Sequence, residues 1–145
     1  MKKVACFVVL IMLISFAPYN IQAEETYKRN IDVPQGAGPF PVIIYSHGSG
    51  GLGNAPDTWK NIFLDSGFAT IFIDHYTPRG YDKSPKGRSR WPLNLKWRKE
   101  DLVSALKEVK ADSRLDSSRI TLAGGSAGAN LPLIGVLNDD VREGA

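Results

Sequence analysis

Gly124-Gly125-Ser126-Ala127-Gly128 constrains this chain more than any other segment, because of what flanks it. The run Arg119-Ile120-Thr121-Leu122-Ala123 before it is strand-like, and Ala129 to Leu137 after it reads as a helix. A strand that turns straight into a helix through G-x-S-x-G has the layout of a nucleophile elbow. The turn is so tight that the serine takes a strained backbone conformation, and the residues two before and two after it must be small. Gly124 and Gly128 meet that need, and Ser126 Oγ is then held clear of the backbone at the end of the sheet. An ordinary glycine-rich turn is the bland reading of the same five residues. A phosphate cradle fits poorly, since no Lys-Ser/Thr pair follows the glycines as a P-loop requires.

The rest of the chain supplies the sheet. Pro41 to Ser46 is a continuous apolar run ending at His47-Gly48, and Phe68 to Ile73 is another, ending at Asp74-His75. Runs that are apolar on both faces suit buried parallel strands. Between them, Asp57 to Ser66 places Trp59, Ile62 and Phe63 on one helical face, with Gly67 as a stop. Arg98 to Lys110 places Leu102, Ala105, Leu106 and Val109 on one face and charge on the other. Strand and helix alternate, so the expected class is α/β with a mostly parallel sheet flanked by helices. Tyr27 to Val33 is a candidate antiparallel strand at the front. Ligands gather at the carboxyl ends of strands in such sheets, and His47, Asp74, His75 and Ser126 all fall there.

The loop after the first strand reads His47-Gly48-Ser49-Gly50-Gly51-Leu52-Gly53. Its glycines expose backbone N–H groups, and ester hydrolysis needs two such groups aimed at the developing oxyanion. One comes from the residue after the nucleophile, here Ala127; the other comes from this loop, through Ser49 or Gly50. His47 and Gly48 frame that loop. A flexible turn is the bland alternative.

At this point the chain resembles the α/β-hydrolase superfamily, and within it the dienelactone hydrolase-like proteins. The resemblance rests on Pro41 to Gly51, on Gly67-Phe68-Ala69-Thr70 leading to Asp74-His75-Tyr76-Thr77-Pro78-Arg79-Gly80, on Asp101 with Ala105-Leu106, and on Arg119 to Gly128. It implies ester hydrolysis through an acyl-enzyme on Ser126, a small-molecule ester or lactone substrate, and no cofactor. Arg79 enters as a supporting residue through its Pro-Arg-Gly context. Dienelactone hydrolases proper carry cysteine where this chain has Ser126. The family order is nucleophile, acid, histidine. Beyond Ser126 the chain offers Asp139, Asp140 and Glu143 but no histidine. The expectation is therefore the N-terminal part of the fold, truncated after the elbow helix and inactive alone. Asp139 and Asp140 read as solvated helix-end residues, and His47 and His75 as strand-end histidines bonded to backbone rather than as the base. A non-catalytic secreted binding module that keeps the glycine-rich pocket is the alternative. A sheet ending at the Ser126 strand also leaves an edge open to self-association.

The front of the chain reads as a signal peptide over 1–23, with Lys2-Lys3, an apolar stretch from Val4 to Phe16 and cleavage after Ala23. An uncleaved anchor is the rival reading; after cleavage no stable membrane insertion is expected, and the product is secreted or periplasmic. The domain is then 24–145. The single cysteine, Cys6, leaves with the signal, so no disulfide or thiol nucleophile remains. Lys2 and Lys3 leave too, out of 18 basic side chains against 15 acidic ones, and the mature chain is close to neutral. Whole-chain charge thus gives no case for nucleic acid. Arg79 to Lys99 still holds eight basic residues against Asp82 alone, with Trp91 and Trp97 interleaved. It reads as a solvated loop, as a loop drawing in an acidic substrate with Arg79 as anchor, or as a polyanion patch. No metal-ligand spacing and no dinucleotide fingerprint is present.

Overall fold

Three parallel strands and the two helical crossovers that join them build the domain. The computed structural model describes residues 29–87, 90–139 and 141, with only the backbone of Arg90. Residues 1–23, expected to be a signal segment and holding Cys6, lie outside the described residues, as do Arg88, Asp140 and Glu143. Strand β1 (Ile31–Asp32) is followed by β2 (Phe40–Ser46), α1 (Ala55–Asp65), β3 (Ala69–Ile73), a 3-10 turn (Thr77–Arg79) and α2 (Arg90–Ala111). Strand β4 (Leu115–Gly124), a second 3-10 turn (Ser126–Ala129) and α3 (Asn130–Leu137) complete the order. The sheet order is β1-β3-β2-β4, with β2 parallel to both β3 and β4 and β1 antiparallel to β3. The fold is α/β, as the alternating pattern requires. No helix among the described residues is long and apolar enough to cross a membrane.

The chain steps from β2 to β3 on one side and then crosses back to β4 on the other. Crossovers of one hand that run in opposite directions cover opposite faces of the sheet. Val42 and Ile44 of β2 and Ala69, Ile71 and Ile73 of β3 pack with Leu102, Ala105, Leu106 and Val109 of α2 and Leu131 and Ile134 of α3 as the main core. The stripe read from α2 is thus buried as expected. The other face is thinner. Trp59 and Ile62, expected to face the core, stay 41% and 52% exposed, and α1 holds no buried residue. Phe63 reaches the sheet, stacking on Phe72 at 6.5 Å, and Leu64 is half-buried beside it. The covering of this face therefore rests on Phe63 and Leu64, while Trp59 and Ile62 stay largely in solvent.

Three boundaries differ from the sequence reading. Helix α2 starts at Arg90, so the second half of the basic stretch is helix rather than loop. Pro92 does not prevent this, because a proline in the first turn forfeits only an N–H that has no intrahelical partner. Strand β4 begins at Leu115, with a bulge where the register steps from Phe40↔Leu115 to Val42↔Ile120. Of the candidate strand Tyr27 to Val33, Tyr27 and Lys28 lie outside the described residues, and among the described ones Ile31–Asp32 pairs with β3.

Candidate active site

The loops leaving β2 and β4 turn to opposite faces of the sheet, and the crevice between two such strand ends is where α/β sheets place ligands. Gly48 and Ser126 meet there. A Cβ on Gly48 would stand 3.3 Å from Ser126 Cβ and 3.8 Å from Ser126 Oγ, so the glycine-rich loop lies directly against the serine.

Ser126 is exposed and has φ +52°, the one left-handed non-glycine residue among those described. A β-carbon in that region crowds the following carbonyl and costs about 1–2 kcal/mol, so the surroundings must hold it in place. Those surroundings are glycines packed on backbone. A Cβ on Gly124 would sit 2.3 Å from Gly128 O, and one on Gly128 would sit 1.9 Å from Ser46 O. Gly125 is constrained as well, with Tyr45 Oη 2.8 Å from where its Cβ would be. Two hydrogen bonds close the turn: Gly125 N–H donates to Ser46 O at 3.1 Å, and Gly128 N–H to Gly125 O at 2.8 Å. Ala127 lies in the first turn of the 3-10 segment, where an N–H has no intrahelical acceptor.

The neighbouring loop is fixed through its carbonyls. His47 Nδ1 lies 2.7 Å from Gly48 O, and Ser84 N–H donates to Ser49 O at 2.8 Å. In a planar trans peptide the N–H points opposite to the C=O. Holding Gly48 O on His47 turns Ser49 N–H the other way, and holding Ser49 O on Ser84 does the same for Gly50 N–H. Neither N–H has a backbone acceptor among the described residues.

His47 and His75 do not reach Ser126. His47 is buried; its Nδ1 must carry the proton, since a carbonyl only accepts, and its Nε2 accepts the His75 backbone N–H at 3.0 Å. Asp74 Oδ1 stands 3.7 Å from Nε2, but an unprotonated nitrogen makes no ion pair with it. Burial lowers the His47 pKa, in keeping with a neutral ring. His75 was expected on backbone and lies instead between side chains. Its Nδ1 is 2.6 Å from Asp101 Oδ2 and its Nε2 is 2.9 Å from Ser46 Oγ. Burial, aided by the Arg98 charge and opposed by the Asp101 bond, lowers its pKa to about 4.

Arg79 is bidentate to Asp101 at 2.9 and 3.0 Å, donates to His75 O and stacks on Trp97 at 5.2 Å. That commitment replaces the role of substrate anchor, because both terminal nitrogens face protein. Arg98 is also turned inward, donating to Ser46 Oγ and, at 3.2 Å, to Tyr76 Oη. The basic stretch is therefore not one solvated surface: two of its arginines hold the site from behind. Lys83 and Lys96 are exposed and pair with Asp82 and Glu100. Asp139 is exposed just beyond α3.

Ser46, Arg98 and Asp101 were not read as site residues. A signal for two of them existed: Arg98 precedes Leu102, Ala105 and Val109 at helical spacing, and Asp101 adjoins that stripe. Charged groups on a buried stripe call for partners inside.

No protein-family model matches the chain, and no curated protein matches it. Among solved structures it is similar to an acetyl xylan esterase from Paenibacillus sp. R4, at 27% identity and a TM-score of 0.54. The match covers 70% of this chain and 37% of the esterase. The likeness supports an esterase-type hydrolase fold.

Proposed function

We propose that this chain carries the nucleophile and oxyanion-binding portion of a secreted or periplasmic serine ester hydrolase of the dienelactone hydrolase-like type. The observation that carries the reading is Ser126 itself. It is exposed, left-handed at φ +52°, flanked by Gly124 and Gly128 where an added Cβ would run into backbone, and set against the Gly48 loop. In the proposed reaction Ser126 Oγ attacks the carbonyl carbon of a small ester or lactone. The oxyanion takes hydrogen bonds from Ala127 N–H and from Ser49 or Gly50 N–H. The Oγ proton passes to a base outside this chain's two histidines. The alkoxy C–O bond breaks as the carbonyl re-forms, that proton goes to the departing alkoxide, and an acyl-enzyme is left for water to hydrolyse. The esterase likeness supports the reaction class.

Activation of Ser126 is a separate matter. Both histidines of the sequence are committed to other partners. A serine hydroxyl with no general base is a weak nucleophile, and loss of a triad member costs about 10⁴ to 10⁶ in rate. The chain alone is therefore expected to be close to inactive.

The test is labelling with a fluorophosphonate, read by intact mass, beside Ser126→Ala. The expected result is a slow, Ser126-dependent adduct that accelerates when imidazole is added as an external base. Fast labelling without it would overturn the statement that Ser126 is unactivated. A folded chain that forms no adduct under either condition would remove the nucleophile reading and favour a binding module built on the same glycine-rich pocket.

A further inference from the structure

Behind the elbow lies a buried chain of hydrogen bonds that the ester-hydrolase reading does not use. We infer that Ser46, His75, Asp101 and Arg98 act as positioning residues for Ser126 and the loop beside it. The inference rests on the reading of Ser126 as nucleophile.

Proton assignments run in one direction. Asp101 is ionised: burial works against this, but its bonds to His75 and Arg79 outweigh it and hold the carboxyl below the usual range. His75 Nδ1 therefore carries the proton, and Nε2 is left to accept from Ser46 O–H. Ser46 Oγ in turn accepts from the Arg98 guanidinium. Every group in the series Arg98, Ser46, His75, Asp101 thus gives or takes what its neighbour needs, and such chains polarise one another. The order copies a Ser-His-Asp relay, yet Ser46 is no nucleophile. It is fully buried, out of reach of a substrate carbonyl, and its oxygen already accepts from the Arg98 guanidinium.

What the chain holds is the last residue of β2. The Ser46 carbonyl is the point on which the elbow converges: it accepts Gly125 N–H and faces the bare Cα positions of Gly124 and Gly128. The His75 backbone N–H fixes His47, and His47 fixes Gly48 O. One network thereby places both the nucleophile turn and the peptide groups opposite it. Arg98 and Asp101 come from α2, so the helix sets the distance between these groups through Ser46 and His75.

Two measurements test this on the full chain by ¹⁵N NMR. Ser46→Ala keeps the carbonyl and removes the hydroxyl. It is expected to move the Gly125, Ala127 and Ser49 amide resonances, to leave Asn61 and Lys60 on α1 in place, and to slow labelling of Ser126 at least about tenfold. Unmoved elbow amides in a folded variant would overturn the inference. The second measurement needs no variant. His75 is faced by Arg98 and Asp101 from α2, by Ser46 from β2, by His47 from the next loop, and by Arg79 and Tyr76 from its own. On acidification its ring nitrogens, those of His47 and the elbow amides are followed together. Gly125 and Ala127 amides that share the His75 midpoint support the inference; amides that follow His47 instead, or do not titrate, refute it. A wild-type chain that takes no fluorophosphonate but shows these shared midpoints would remove the hydrolase reading and leave the positioning network standing.

Discussion

Gly128→Ala puts the elbow under direct test, because the added methyl has a definite place to go. Its Cβ would lie 1.9 Å from Ser46 O, 2.6 Å from Ser46 C and 2.7 Å from His47 O. All three are backbone atoms, so no side chain can swing aside. Real Cβ contacts essentially never fall below 3.0 Å, so the 3-10 turn and the end of β2 must separate by at least about 1 Å. Overpacking of this kind costs about 1–3 kcal/mol, and the Gly125 to Ser46 hydrogen bond stretched by the same movement adds about 1 kcal/mol. The better helical propensity of alanine returns less than about 1 kcal/mol. A net loss of about 2–3 kcal/mol corresponds to a fall in Tm of about 8–12 °C for a domain of this size. Thermal and urea unfolding followed by circular dichroism reads it. Gly50→Ala is the control: nothing lies within 4 Å of its Cβ, and the expected change is under about 0.5 kcal/mol. A Gly128→Ala variant that melts with the wild type would refute the packing of the elbow on Ser46 and, with it, the crevice described above.

Two further outcomes follow from the same site. Ser126→Gly relieves a left-handed non-glycine backbone worth about 1–2 kcal/mol, less about 0.4–1 kcal/mol for the freer unfolded chain, so the variant should be more stable by about 0.5–1 kcal/mol while losing all labelling; a lower urea midpoint would show that the serine side chain contributes more than its strain costs. Acid should destabilise the domain earlier than carboxylates alone would dictate. His75 has its pKa lowered from 6.5 to about 4, so between those values the unfolded chain binds a proton that the folded one refuses, and stability falls as pH falls through that window. At 1.36 kcal/mol per unit the loss is roughly 3 kcal/mol. His47, also lowered by burial, adds in the same direction, and Asp101, depressed below 3.8, adds its loss at lower pH still. Urea midpoints that stay flat between pH 6.5 and 4 would mean that His75 is solvated and that the network is open in solution.

The parts of this molecule that the sequence makes legible are those whose physics is local. Three apolar runs with helices between them require a parallel α/β sheet, and five residues ending β4 require a tight turn; neither inference needs to know what packs against what. Trp59 and Ile62 illustrate the limit. Their helical spacing is right, but whether a face is buried depends on what packs beneath it, and the spacing of apolar residues does not carry that. The positioning network shows the same limit from the other side. His75, Ser46, Arg98 and Asp101 are separated by up to 55 positions and come from three elements, so only the closed fold makes them neighbours. Arg98 carried a readable warning, since a guanidinium on a buried stripe must be satisfied by something. What satisfies it is the serine that ends β2, and this links the two levels. The local rule that makes Gly124, Gly125 and Gly128 bare explains how Ser126 can stand where it does. The non-local rule that a buried charge must find partners explains what keeps the floor of that turn in place.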